Sequence, residues 1–131
     1  MRPERIEERA AYEFLRADGT WTPSFEGAAD FLGGVLGECS LSYNAALACY
    51  VIIFCRPANG ELVMVRFADF RELASAHQDV IYRIPPPAEG GEKRLPYYSA
   101  KEIHAGDAAL YLVYMNPSDY QPYLLKITVQ Q

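Results

Sequence analysis

The chain has 131 residues, is 50% hydrophobic and 22% charged, and carries a formal net charge of −5. This composition predicts one cytoplasmic globular domain over residues 1–131, whose core needs no metal or disulfide. It disfavours a membrane span, because no apolar run reaches about 18 residues, and general nucleic-acid binding, which relies on Lys and Arg.

The first 48 residues predict helices. Pro3 suits a first helical turn, and Asp18-Gly19 is typical of a helix end. A second helix is expected to begin near Thr22 or Ser24, and residues 41–48 allow a short third one. The apolar face of the second helix would contain Phe25, Ala28, Ala29, Leu32, Val35 and Leu36.

The stretch "CYVIIFCRPANGELVMVRF" predicts a β-hairpin. Two runs rich in β-branched and aromatic residues flank Asn59-Gly60, a pair suited to the positive φ angles of a tight turn. Side chains alternate along each strand, so Val51 and Ile53 share one face and Ile52 and Phe54 the other.

The sequence after the hairpin predicts mostly extended segments. Asp69 and Glu72 predict the cap of a short helix, and residues 80–84 predict a strand that ends at Pro85. Ser99 and Glu102 indicate one helical turn. Residues 108–115 and 123–130 complete a predicted α+β fold, in which two N-terminal helices pack on one face of a mostly antiparallel sheet of about five strands.

Residues 83–98, "RIPPPAEGGEKRLPYY", predict a long intradomain loop. The residues after Tyr98 hold only two strands and one possible helical turn, too little for a separate core. The later strands must therefore pair with the earlier ones, and both ends of the loop are expected to join one sheet. A loop of this length in a compact domain is often functional.

Catalytic and metal-binding patterns are absent. The three cysteines, Cys39, Cys49 and Cys55, form no C-x-x-C pair, and no zinc-binding spacing surrounds His77 or His104. The glycine-rich stretches lack the lysine and hydroxyl of a phosphate-binding loop. We therefore predict no metal site, no cofactor and no catalytic residue, while Cys39 and His104 remain open candidates for a chemical role.

The candidate binding residues are tyrosines near proline-rich loops and cations within strands. Tyrosine offers a large contact area with a polar tip and is enriched at interfaces. Cations on an open sheet face would hold an anionic ligand or an acidic partner surface, although they also occur on ordinary solvated faces. The predicted partner-binding set is Tyr97, Tyr98, Tyr120, Arg66, Arg83 and Lys126.

These observations favour a small acidic protein that acts by binding another protein. Inhibitors of toxins and proteins of the immunity or anti-defence type are often compact, acidic and poor in motifs, an analogy of composition alone. The alternative is a small-molecule-binding or enzymatic domain, with a pocket between the sheet and the first two helices and His104 among its polar groups. A homodimer formed through sheet edges or faces is a further alternative.

Overall fold

The computed structural model describes residues 8–35, 37–56, 58–85, 98–103, 109–116 and 119–128. Within them lie three antiparallel sheets and three short 3₁₀ helices. A small sheet pairs β1 (Phe14–Leu15) with β2 (Trp21–Thr22). The first large sheet, in spatial order, contains β3 (Cys39–Asn44), β4 (Cys49–Arg56), β5 (Glu61–Phe67) and β6 (Gln78–Arg83). The second sheet contains β7 (Tyr98–Ile103), β8 (Ala109–Asn116) and β9 (Gln121–Thr128), and the 3₁₀ helices span Arg9–Ala11, Phe25–Gly27 and Phe70–Ser75.

The predicted α+β class is wrong, because the described residues form mostly antiparallel β-structure. Asp18-Gly19 is the turn of the β1–β2 hairpin rather than a helix end, with Gly19 at φ +80°. The predicted second helix is reduced to the 3₁₀ turn Phe25–Gly27. Glycine disfavours a helix interior, and Gly34 takes a left-handed φ of +80° that a continuing helix would not allow.

Two other helical predictions are also wrong. Residues 39–44, which overlap the possible third helix, form β3 and pair with β4 from Cys39↔Phe54 to Asn44↔Cys49. The predicted helical turn at Ser99 lies within β7. In both places the hydrogen bonds of a neighbouring strand outweigh weak local preferences.

The central hairpin is confirmed. β4 and β5 pair without interruption from Tyr50↔Phe67 to Arg56↔Glu61, and Gly60 has φ +62° in the connecting turn. The short helix after β5 is also present, as the 3₁₀ helix Phe70–Ser75. The Asp69 side chain accepts a hydrogen bond from the Arg71 amide, which caps its first turn.

The first sheet is a middle layer with both faces covered. Val51, Ile53 and Cys55 on one face pack with residues of the second sheet, including Leu110 and Leu112. The opposite face packs against the N-terminal segment and the 3₁₀ helix after β5, through Leu32, Val35, Phe70 and Leu73. The described residues therefore form two apolar clusters, one on each side of this sheet.

A polar contact fastens the second sheet to the edge strand β3. The Glu102 carboxylate accepts hydrogen bonds from the Ser42 hydroxyl and from the Asn44 amide nitrogen, the latter at 2.9 Å. The backbone N–H of Glu102 donates to the Ser40 hydroxyl at 2.8 Å. Small side chains at Ser40 and Ser42, and at the buried Ala100, allow the two sheets to approach closely here.

The predicted loop 83–98 connects two sheets rather than returning to one. Its flanks are β6, which ends at Arg83 in the first sheet, and β7, which begins at Tyr98 in the second. Residues 86–97 lie outside the described residues.

No helix in the described part of the chain is long and apolar enough to cross a membrane.

Candidate functional site

The second sheet has an inner and an outer face, which the strand register defines. Directly paired residues share a face, and neighbours along a strand alternate. Leu110, Leu112 and Tyr114 of β8 are buried against the first sheet and therefore mark the inner face. Their partners in β9 are Ile127, Leu125 and Tyr123. Glu102 of β7 pairs with Leu112 and is also on the inner face. The positions that alternate with these, from Lys101 and Ile103 on β7 to Leu124 and Lys126 on β9, form what we call the outer face.

The outer face combines apolar side chains with high exposure. Leu124 is 65% exposed and Ile103 is 46% exposed. Between them, Tyr111 and Val113 of the central strand are half-buried, since they lie among neighbours on the same surface. The outer face also contains Lys101, Ala109, Met115, Pro122, Lys126 and Thr128. Exposed apolar area of this kind often marks an interaction site.

The outer face carries two lysines, Lys101 and Lys126. The Lys126 ammonium lies 5.3 Å from the centre of the Tyr111 ring, a cation–π arrangement. Lys101 forms an ion pair with Glu38, which precedes β3. The outer-face positions of the described strands carry no carboxylate. An apolar surface bordered by lysines therefore occurs on a protein whose net charge is negative.

Three of the predicted binding residues belong to the second sheet. Lys126 lies on the outer face. Tyr120 is exposed in the turn that joins β8 to β9, where its φ is +58° and its amide bonds to the Asn116 carbonyl. Tyr98 begins β7 at the register position opposite Met115. Tyr97 lies outside the described residues.

The two predicted arginines lie on the first sheet and do not share a face. Arg66 pairs with Val51 in the ladder, whereas Arg83 pairs with Glu61. Glu61 and Arg66 are five residues apart on an uninterrupted strand, so their side chains project to opposite faces. Arg66 contacts Asp79 at 3.4 Å, and Arg83 contacts the buried Glu61 at 3.0 Å. The structure therefore does not gather the six predicted residues into one patch.

The exposed apolar residues at the centre of the outer face were not predicted as a site. Leu124 is next to Leu125, which is on the inner face, so the sequence shows two adjacent leucines without revealing which is buried. The alternation along the sequence indicated that Pro122, Leu124, Lys126 and Thr128 share one face of a strand. Only the buried partners on β8 show that this face is the exposed one.

A row of tyrosines closes one end of the inner face. The rings of Tyr82 and Tyr114 lie 6.1 Å apart, and those of Tyr114 and Tyr123 stack at 5.8 Å. The Tyr123 hydroxyl donates to Asp119 at 2.7 Å. Burial, together with the neighbouring Tyr82, raises the pKa of Tyr114 to about 12 from its ordinary 10. These three tyrosines thus belong to the packed interior or its rim.

This raised pKa predicts a loss of stability in alkaline solution. Below pH 10 the phenol is protonated in both states, so Tyr114 has no effect on the pH dependence. Between pH 10 and about 12 the unfolded chain releases the proton first, and the free energy of unfolding falls. Two pKa units correspond to about 2–3 kcal/mol. Denaturant titrations across this range should show the fall, and Tyr114→Phe should reduce its slope; an equal slope in the variant would contradict the assignment.

In the described residues, no cysteine or histidine belongs to a metal-binding cluster. Cys39 is exposed, whereas burial raises the pKa of the Cys55 thiol to about 11. Burial also raises the pKa of Cys49, although the nearby Arg66 opposes this shift. His104 lies outside the described residues, and within them no group of three His, Cys, Asp or Glu side chains could hold a metal ion.

Comparison of the chain with protein-family models, curated proteins and solved structures found no match.

Proposed function

We propose that this chain is a cytoplasmic protein that acts by binding another protein through the outer face of its second sheet. The observation that supports the proposal is the high exposure of Leu124 and Ile103 beside the half-buried Tyr111 and Val113. These side chains lie on three adjacent strands of one sheet, so a partner can cover them together. The chain would then act as an inhibitor or as a protein of the immunity or anti-defence type, a class suggested by analogy of composition.

The charge of the outer face indicates the chemistry of the partner. Lys126 borders the apolar centre beside Tyr111, and the described outer-face positions carry no acidic side chain, whereas Lys101 already pairs with Glu38. Complementary charge at the rim of an interface favours the correct partner and speeds association. The partner is therefore expected to present an apolar patch with Asp or Glu around it.

No observation favours the alternative of a pocket between the sheet and two N-terminal helices. The described N-terminal residues hold two short strands and 3₁₀ turns in place of those helices. His104, its proposed polar group, lies outside the described residues.

The experiment compares two matched substitutions in affinity purification from the native host. Leu124→Glu introduces a carboxylate at the centre of the outer face, and we expect it to reduce recovery of the partner at least about tenfold, since a desolvated unpaired charge costs several kcal/mol. The control is Leu41→Glu on β3, because Leu41 is also a leucine on a strand and is 52% exposed. It should leave recovery unchanged.

Both variants should retain the melting temperature of the unaltered protein, because both leucines are exposed. Equal recovery with Leu124→Glu and the unaltered protein would contradict the proposal. So would a loss of recovery with Leu41→Glu alone, which would place the interface on the first sheet.

A further inference from the structure

The turn between β4 and β5 contains two residues that can react with each other, Asn59 and Gly60. The side-chain carbonyl of an asparagine can be attacked by the backbone nitrogen of the next residue, and glycine hinders this attack least because it has no side chain. Asn59 is exposed, and Gly60 has φ +62°. The side chain that would be attacked is therefore open to water.

The backbone around this pair is held by hydrogen bonds, whereas the reacting groups are not. The Asn59 backbone amide donates to the Arg56 carbonyl at 3.3 Å, and the Gly60 carbonyl accepts from the Ile84 amide at 2.8 Å. The Asn59 side chain and the Gly60 N–H form no hydrogen bond with another described residue. Neither group has to break such a bond before it reacts.

The other two asparagines of the chain are protected from the same reaction. Asn44 is buried, and its side chain donates to Glu102 at 2.9 Å and accepts from the Leu47 amide at 3.0 Å. Asn116 is followed by Pro117, whose nitrogen carries no hydrogen and cannot attack. Asn59 is thus the asparagine that the structure leaves open to this chemistry.

The β1–β2 turn offers a comparison, because Asp18-Gly19 could form the same ring by loss of water. There both reacting groups are held. The Asp18 carboxylate accepts hydrogen bonds from the Thr20 amide at 2.9 Å and from the Thr20 hydroxyl at 2.6 Å, and the Gly19 N–H donates to the Arg16 carbonyl at 3.0 Å. A glycine in a turn is therefore not sufficient, and Asn59-Gly60 differs by the absence of these bonds among the described residues.

We propose that Asn59 is a site of spontaneous deamidation and that its isoaspartate product loosens the contact between β5 and β6. The Gly60 nitrogen loses its proton and attacks Cγ of Asn59. A bond between that nitrogen and Cγ forms, the bond from Cγ to Nδ2 breaks, and Nδ2 leaves with the proton as ammonia. Water then opens the five-membered imide: cleavage at Cγ gives aspartate, and cleavage at the backbone carbonyl gives isoaspartate.

The turn supports a buried ion-pair cluster, which explains the expected damage. Glu61 is buried directly after Gly60, and its carboxylate contacts Arg83 of β6 at 3.0 Å and Arg56 at 3.6 Å. In isoaspartate the main chain runs through Cγ and is one atom longer between residues 59 and 60. This extra atom displaces the Gly60 carbonyl from Ile84 and the Glu61 carboxylate from its arginines, and a buried carboxylate that loses its partners is strongly unfavourable.

The experiment incubates the full chain in neutral and in mildly alkaline buffer and follows residue 59 by peptide mass spectrometry and enzymatic methyl labelling of isoaspartate. We expect conversion of the amide to an acid, faster in the alkaline buffer because the attacking nitrogen must lose its proton. Conversion at Asn59 should exceed that at Asn44 at least about tenfold, since Asn44 must first break its hydrogen bonds. Gly60 is buried, so the turn must open locally for the reaction.

Two variants serve as matched controls. Asn59→Gln keeps a side-chain amide but would have to close a larger ring, and it should stay unconverted over the same period. Asn59→Asp has the charge of the deamidated chain with an ordinary backbone. The isoaspartate form, separated by ion exchange, should unfold at a lower denaturant midpoint than Asn59→Asp, and its Ile84 amide should exchange hydrogen faster.

An unaltered chain in which residue 59 does not convert, or converts no faster than Asn44, would overturn the assignment of the site. Equal midpoints for the isoaspartate form and Asn59→Asp would overturn the structural consequence. Neither measurement depends on a partner protein, so the result is independent of the proposed function at the outer face.

Discussion

Leu112→Ala is expected to lower the free energy of unfolding by about 2–5 kcal/mol, the usual cost of truncating a fully buried leucine. Leu112 is 0% exposed at the centre of β8 and belongs to the cluster that joins the second sheet to Val51 and Ile53 of the first. The substitution removes apolar contacts and leaves a cavity between the sheets. Denaturant titration measures the effect as a lower transition midpoint.

The matched control is Leu124→Ala on the adjacent strand. Leu124 lies on the outer face and is exposed, so its truncation should change the free energy of unfolding by about 0.5 kcal/mol or less. Similar losses in the two variants would mean that the faces of the second sheet are wrongly assigned. The pair thus tests both the shared core and the exposure of the proposed binding surface.

Glu102→Ala is expected to lower the free energy of unfolding by about 2–4 kcal/mol. Hydrogen bonds to a charged acceptor contribute about 1.5–3 kcal/mol each, and this substitution leaves the Ser42 hydroxyl and the buried Asn44 amide without their acceptor. The loss should appear in denaturant titrations. Since Glu102 fastens β7 to the edge strand β3, hydrogen exchange in both strands should also become faster.

Glu102→Gln is the control for this position. Glutamine keeps the length of the side chain and one oxygen acceptor, so it should destabilise the protein less than alanine does. A loss below about 0.5 kcal/mol for Glu102→Ala would show that these hydrogen bonds contribute little to joining the sheets.

The central hairpin could be predicted from sequence because its information is local. Alternation along β4 and β5 and the Asn59-Gly60 turn specify both the strands and their faces, and the structure has the same arrangement. The cap at Asp69 is local as well, since its side chain bonds to an amide two residues away. The strand order of the second sheet depends on contacts between residues distant in the sequence, so local patterns could not predict it.

The N-terminal helices were wrongly predicted because apolar residues at helical spacing also fit an irregular covering layer. Leu32 and Val35 are three residues apart, as on a helix, yet they pack on the first sheet from a segment that contains Gly34 at φ +80°. Ser99 and Glu102 likewise resemble a capping pattern. In the structure the Glu102 carboxylate accepts hydrogen bonds from the neighbouring sheet, and no local sequence pattern indicates this contact.

Two of the predicted binding residues lie on or beside the proposed outer-face site. Lys126 and Tyr120 are exposed in the second sheet and its turn, as a binding role requires. Arg66 and Arg83 were grouped with them, but grouping cations by strand alternation needs the order and the covered face of the sheet. Both were unknown, and the arginines project to opposite faces of the first sheet, where they pair with Asp79 and Glu61.

Site-specific photo-crosslinking shows directly whether the outer face of the second sheet contacts a partner protein. A photoreactive residue is placed at position 124 in one sample and at position 41 in a matched sample, and both are irradiated in native host extract. We expect one major crosslinked protein at position 124, identical to the partner recovered by affinity purification, and none at position 41. A crosslink to that partner from position 41 and not from position 124 would contradict it.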